Sequence, residues 1–182
     1  LRQDPDIIMV GEIRDRETAE IAVQSALTGH LVLSTLHTNS ALGAISRLTD
    51  MGVEPYLLSS SLIGVMGQRL VRQVCENCKT SSLAPPELIR KMGWSDSKPI
   101  RLVKGRGCPT CYDSGFKGRF AIHELMLVDE TIQHLITASR EPEEIEKHLV
   151  AKGYRNLYND GLNYVINGRT TPEEIAAVID SH

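Results

Sequence analysis

Two cysteine pairs, Cys75-x-x-Cys78 and Cys108-x-x-Cys111, stand 29 residues apart, and no other feature limits the possible folds of this chain so strongly. Two thiolates three positions apart on a tight turn chelate one Zn²⁺ from one side, and a second such knuckle closes the tetrahedron. With sulfur at all four positions no place is left for water, so such a zinc is structural rather than catalytic. In a sequence without secretory features this spacing favours metal ligation over disulfides. Disulfides, an iron–sulfur cluster and free thiols remain the alternatives. The segment between the knuckles contains "APPELIRKMGW", which predicts one short helix begun by Pro85 and Pro86. An excursion of this size is too small to hold a core of its own, and the metal would fix it.

The first part of the chain reads as α/β. Ile7-Ile8-Met9-Val10 is a run of strand formers stopped by Gly11, and it predicts a buried parallel strand. Ala19, Ala22, Val23, Ala26 and Leu27 then recur at helical spacing, with Gly29 where a helix ends. Leu31–Leu36, "LVLSTL", is a second apolar run. Strand, helix, strand is a βαβ unit with a right-handed crossover. Parallel sheets bind ligands outside the C-terminal ends of their strands, which is where Glu12 and His37 emerge. His30 precedes the second strand and lies roughly 20 Å from that edge at about 3.3 Å of rise per residue.

"DPDIIMVGEIRD" together with "TGHLVLSTLHTN" resembles the Walker B strand and histidine box of the secretion ATPase superfamily, the hexameric motors of type II secretion and type IV pilus assembly. The resemblance implies that Glu12 acts on the Mg²⁺ and attacking-water side of the ATP γ-phosphate. It makes His30 and His37 the two histidines of the box, His30 a cofactor-binding residue and His37 approaching the γ-phosphate. Arg14 and Asp15 belong to the same stretch, and a supporting or subunit-contact role is expected for them, Arg14 on the nucleotide side. The paired CxxC spacing and the following "GCPTCYDSGFKGRFAIHELMLVD" are similar to the secretion and pilus-extension branch, which carries a tetracysteine zinc module. The fold so implied is the C-terminal part of a RecA-like P-loop ATPase domain with a small four-cysteine zinc module and a helical C-terminal region.

One family element is missing from these residues. A phosphate cradle needs G-x-x-x-x-G-K-S/T, and no glycine here is followed by lysine. The expectation is therefore a C-terminal portion cut just before the Walker B strand, binding ATP poorly by itself. The predicted organisation is a partial ATPase core over 1–74, the zinc module over 75–111 and a C-terminal strand and helices over 112–182. The resemblance further implies a homo-oligomer, a hexamer in the intact protein, that is cytoplasmic and peripheral at the inner membrane. There it would dock on inner-membrane platform proteins.

Elsewhere the patterns predict core elements. "NSALGAISRLTDMG" is a helix capped near Asn39 or Ser40 and ended by Gly52. "EPYLLSSSLIGVMGQRLVRQV" reads as helical from Pro55, weakened at Gly64 and Gly67, with Arg69 and Arg72 on a solvated face. Arg119–Val128 is a strand, Asp129 caps the next helix, and Thr171, Pro172 and Glu174 form a capping box. Two further function classes stay open: a zinc-knuckle binding module and a metal-dependent hydrolase. The net charge of −3 and 4% aromatic content argue against nucleic acid. A hydrolase would need a second metal, and no HExxH spacing supplies one.

Overall fold

The computed structural model describes residues 5–94 and 99–180, with the side chain of residue 180 left aside. Asp4 of the first quoted motif lies outside the described residues. The chain divides into two compact units. One runs to Gly67 and resumes over Glu124–Tyr154; the other comprises Gln68–His123 and the chain from Arg155 onward.

The first unit opens with the predicted βαβ. β1 (Ile7–Val10) pairs in parallel with β2 (Leu31–Ser34), Ile7 opposite Leu31 and Val10 opposite Ser34. Between them α1 (Arg16–Leu27) starts at Asp15, whose side chain accepts the Thr18 N–H at 2.8 Å, and stops at Gly29, where φ is +102°. That left-handed angle is why glycine stands there. α2 (Ala41–Asp50) is capped by Ser40, which accepts the Gly43 N–H at 3.0 Å, and α3 (Pro55–Ser61) begins on its proline. Ala19, Val23, Leu48 and Leu58 pack with Met126, Ile132, Ile136 and Ile145 in one core. The last three come from α5 (Glu130–Thr137) and α6 (Pro142–Ala151). Asp129 caps α5 as expected, accepting the Ile132 N–H at 2.9 Å.

Two expectations need correction in this unit. β1 is not buried on both faces: Ile7 is 59% and Met9 77% exposed, with Leu31 and Leu33 also exposed, whereas Val10 and Val32 pack on the core. Only one side of the described sheet is covered. The helix from Pro55 also ends at Ser61, and Gly64–Val74 is a strand, β3. Two glycines weaken a helix there, while the valines at 65, 71 and 74 favour extended backbone. The strand's bonding groups are met by β6 (Phe116–Leu127).

The second unit contains an antiparallel pair that the sequence did not announce, β4 (Lys79–Leu83) with β5 (Arg101–Gly105), Lys79 opposite Gly105. α4 (Pro86–Lys91) lies between them in sequence and starts at its proline pair as predicted. Gly105 and Gly115 meet backbone to backbone, so that a Cβ on Gly105 would lie 2.0 Å from the Gly115 carbonyl oxygen. Val71, Ile122, Leu157, Val165 and Ile175 form the core of this unit, the last three from α7 (Leu157–Ile166) and α8 (Pro172–Asp180). Among the described residues no helix is long and apolar enough to cross a membrane.

The capping box at α8 is half formed. Thr171 Oγ1 accepts the Glu174 N–H at 3.2 Å, but the Glu174 carboxylate does not turn back to the cap. It accepts from the Arg72 backbone N–H at 3.1 Å and from the guanidinium Nε at 3.0 Å. Arg72 thus sits on a strand rather than a solvated helix face, its guanidinium 4.4 Å from the Phe116 ring centroid. The hydrogen bond from Arg72 holds the buried Glu174 carboxyl below the usual glutamate value of 4.5.

This pair gives a pH-dependent prediction. Glu174→Gln leaves an oxygen for the Arg72 N–H and removes the charge, which should cost about 1.5 kcal/mol in urea unfolding at neutral pH, the low end for a charged hydrogen bond because Arg72 is half exposed. A carboxyl held low contributes stability above its unfolded value and loses it as pH falls through the folded one. The difference between wild type and variant should therefore shrink below the usual 4.5. A gap unchanged across the acid range would show that the ion pair contributes nothing.

Candidate functional site

The parallel pairing carries β1 and β2 to a common edge, where the backbones that follow are cross-tied. The Ile13 N–H donates to the Thr35 carbonyl at 2.9 Å, and the Thr35 hydroxyl donates to the Gly11 carbonyl at 2.7 Å. Glu12 lies inside this tie, and His37 follows it. His37 Nε2 stands 2.8 Å from Glu12 Oε1, and the Arg14 guanidinium 2.6 Å from Oε2. Glu12, Arg14 and His37, separated by up to 25 positions in the sequence, form one cluster.

Glu12 has 22% of its side chain exposed. Hydrogen bonding from Arg14 lowers its carboxyl below the usual range, against the opposing effect of burial and with help from the charges of Arg14 and His37. It is ionised at neutral pH. Its Oε1 is buried without a directed hydrogen bond, since the His37 contact is close but not aligned as one. A buried carboxylate oxygen with an unused lone pair beside a cation and an imidazole fits a water molecule or a hydrated divalent cation. Ile13 and Arg47 complete the lining of the cleft. Arg47, on α2, carried no signal in the sequence, because an arginine on a helix face is ordinarily solvated.

His30 is not brought to this edge. It stands before β2, its Nδ1 3.0 Å from the Ser25 carbonyl oxygen and 3.2 Å from the Thr28 hydroxyl, against the end of α1.

The four cysteines converge within the second unit. Their sulfurs all lie within 4.8 Å of one another, with Cys75 to Cys108 at 3.9 Å, Cys78 to Cys111 at 3.8 Å and Cys108 to Cys111 at 3.7 Å. A tetrahedron with metal–sulfur bonds of about 2.3 Å has edges of about 3.8 Å, so the set fits one four-thiolate ion. These separations are far too long for disulfides, which need about 2.05 Å, and the thiols are free. Each knuckle is a tight turn: the Cys78 N–H reaches the Cys75 carbonyl at 3.3 Å, and the Cys111 N–H the Cys108 carbonyl at 3.1 Å. Burial pushes the Cys78 thiol up to about 11. At Cys111 burial acts the same way, but hydrogen bonding at Gly115 and Cys108 outweighs it and draws the thiol down to about 7.

Residues 1–177 match the family described as Type II/IV secretion system protein. The Type IV pilus assembly ATPase PilB of Thermus thermophilus is 55% identical over 179 residues, which is 97% of this chain and 20% of that protein. The Type II secretion system ATPase E of Vibrio cholerae is 51% identical over 178 residues, 98% of this chain and 35% of that protein. The chain therefore spans between a fifth and about a third of the length of these relatives. Among solved structures, the pilus retraction motor PilT with bound ADP superposes with a TM-score of 0.66 at 26% identity, covering 98% of this chain and 40% of that one. The ATPase DotB of Legionella pneumophila shares the fold, with a TM-score of 0.65 at 22% identity, covering 100% of this chain and 40% of that one. The α/β architecture is that of the RecA-like secretion ATPases, and the chain belongs to the Type II/IV secretion system protein family.

Proposed function

We propose that these residues form the Walker B and histidine side of the ATP site in a cytoplasmic hexameric motor, peripheral at the inner membrane, that powers protein secretion through pseudopilus assembly. The observation that carries this reading is the Glu12 carboxylate at the strand edge, ionised, flanked by Arg14 and His37, with Oε1 buried and open to a further partner. Phosphoryl transfer is governed by positioning and charge stabilisation. Mg²⁺, when bound, neutralises phosphate charge. With nucleotide bound, Glu12 would hold the attacking water and His37 would face the γ-phosphate. A carboxyl kept acidic by Arg14 is a weak base, so Glu12 orients the water more than it deprotonates it. In this reading Arg14 fixes the carboxylate rotamer and His30 supports the far end of β2. Residues 1–74 serve the nucleotide, 75–111 the metal module, and 112–182 complete the fold.

No G-x-x-x-x-G-K-S/T occurs in the 182 residues, so the phosphate cradle belongs to another part of the motor, and these residues alone hold ATP weakly. Platform proteins of the inner membrane receive the motion. A pilus-extension motor is the second reading, favoured by the 55% identity to a pilus assembly ATPase.

In the intact motor Glu12→Gln should lower ATP hydrolysis by about 100-fold or more while ATP binding stays near that of the wild type. Wild-type turnover in that variant would remove Glu12 from its assigned role.

The four cysteines hold a structural zinc in this reading. Elemental analysis should give one zinc per chain, and a chelator or Cys108→Ser should lower the melting temperature and increase amide exchange around Cys75 and Gly115. A chain that purifies without metal and melts identically with a chelator would count against zinc.

A further inference from the structure

The cleft at the strand edge has a support that the catalytic reading does not use. Glu124 on β6 is 3% exposed, among the most deeply buried of the charged residues described. One carboxylate oxygen accepts the Ala41 backbone N–H, and the other accepts the Tyr154 hydroxyl at 2.9 Å. Ala41 is the first residue of α2 and fully buried. A helix N-terminus favours a negative charge and leaves its first N–H groups without partners inside the helix. Ser40 serves the Gly43 N–H, and Glu124 serves the Ala41 N–H.

Room for this carboxylate is made by Gly67. A Cβ there would lie 2.6 Å from Glu124 Oε1 and 2.7 Å from its Cγ, closer than real carbon atoms approach. The backbone of Gly67 has an ordinary negative φ, since it is absent from the positive-φ glycines. Its lack of a side chain is therefore required by the carboxylate and not by a turn.

What Glu124 holds is the C-terminal anchor of the segment that bears His37. The other anchor is Thr35, tied to Ile13 and Gly11. Between them Thr38 closes on the Ser40 carbonyl at 3.0 Å. The His37 side chain is 88% exposed, so packing does not place it. Its position over Glu12 is set by the backbone, and the backbone is set at Thr35 and at Ala41. A buried carboxylate is costly unless hydrogen-bonded, and an apolar residue would fill the same space more cheaply. The expense is understandable if the charge fixes a segment whose placement matters.

We infer that Glu124 is a positioning residue for the catalytic edge, clamping the start of α2 in the space left by Gly67 and so fixing the His37 segment over Glu12. This rests on the ATPase reading for its kinetic consequence and on geometry alone for its structural one, and two readouts keep these apart.

The experiment compares wild type, Glu124→Gln, Glu124→Ala and Gly67→Ala in the intact motor. Glutamine keeps an oxygen for the Ala41 N–H and should rescue, with kcat within about threefold of wild type. Glu124→Ala and Gly67→Ala should lower kcat by about 10- to 100-fold, as expected for a misplaced catalytic group, with the KM for ATP changed less than twofold. Amide exchange, measured without nucleotide, should speed up at least tenfold at Ala41 in these two variants and stay unchanged at Ile136 and Leu149 in α5 and α6. If Glu124→Ala does not fold, Gly67→Ala and Glu124→Gln decide the matter. The inference is overturned if Gly67→Ala turns over like wild type, if Glu124→Gln is as slow as alanine, or if exchange rises everywhere alike. Faster exchange at Ala41 with wild-type kcat, in a motor that Glu12→Gln inactivates, overturns the positioning role alone. Unimpaired hydrolysis by Glu12→Gln would overturn the ATPase reading, and the exchange data would still judge the clamp.

Discussion

The register between β1 and β2 decides what this chain can do. With Ile7 opposite Leu31 and Val10 opposite Ser34, the residues that leave the two strands meet at one edge, where Ile13 and Thr35 join through a hydrogen bond. A slip of one strand by one residue would turn its side chains to the other face. Either Val10 or Val32 would leave the core, and Glu12 would no longer lie beside His37. The short pair holds its register because only one of its faces packs on a core, which makes the two possible registers unequal in energy. The same one-sidedness leaves Ile7, Met9, Leu31 and Leu33 exposed in matching rows.

Stability is supplied differently in the two units. The first is held by side-chain packing: α1, α3, α5 and α6 supply a continuous apolar cluster. The second has a smaller apolar core and adds devices that do not depend on area, namely the four-thiolate cluster, the Arg72–Glu174 pair and the contact of Gly105 with Gly115. Small cores commonly need such fixtures. The paired cysteine knuckles and the buried carboxylate of Glu174 thus belong to one strategy, in which a few strong local constraints replace a broad hydrophobic interior.

Much of this was legible in the sequence, and the misses share a cause. The βαβ unit, the caps at Ser40, Asp129 and Thr171, and the paired knuckles were readable because each depends on residues close together in the chain, or on a spacing with one chemical use. β3 was read as helix because Pro55 opens a real one, and its end is set by pairing with β6, some 60 residues away in sequence. β4 escaped notice because "KTSSL" lacks the alternation that marks a half-buried strand. Glu174 looked like half of a local box and is spent on Arg72. Arg47 and Glu124 were invisible for a similar reason: the cleft that Arg47 lines and the groups that Glu124 bonds come from other elements, and a lone charge in an amphipathic pattern gives no hint of them. The cluster of Glu12 and His37 was found through topology and resemblance, its close contact with Arg14 only through coordinates.

The acidity of Glu12 connects these points to function. Were proton abstraction the main task of the site, a carboxylate raised toward neutrality would serve best, as burial alone would produce. Here Arg14 acts in the opposite sense and prevails over burial, so the site sacrifices basicity for a fixed negative charge. A group that works by orientation is only as good as the backbone beneath it. In the proposed reading the cross-tie at Thr35 and the support at Ala41 therefore count alongside the imidazole and the carboxylate. In the proposed phosphoryl transfer, where positioning supplies most of the rate, the distribution of buried polar bonds around the strand edge follows from the chemistry: rigid backbone on both sides of His37, and a carboxylate whose charge does not vary near neutral pH.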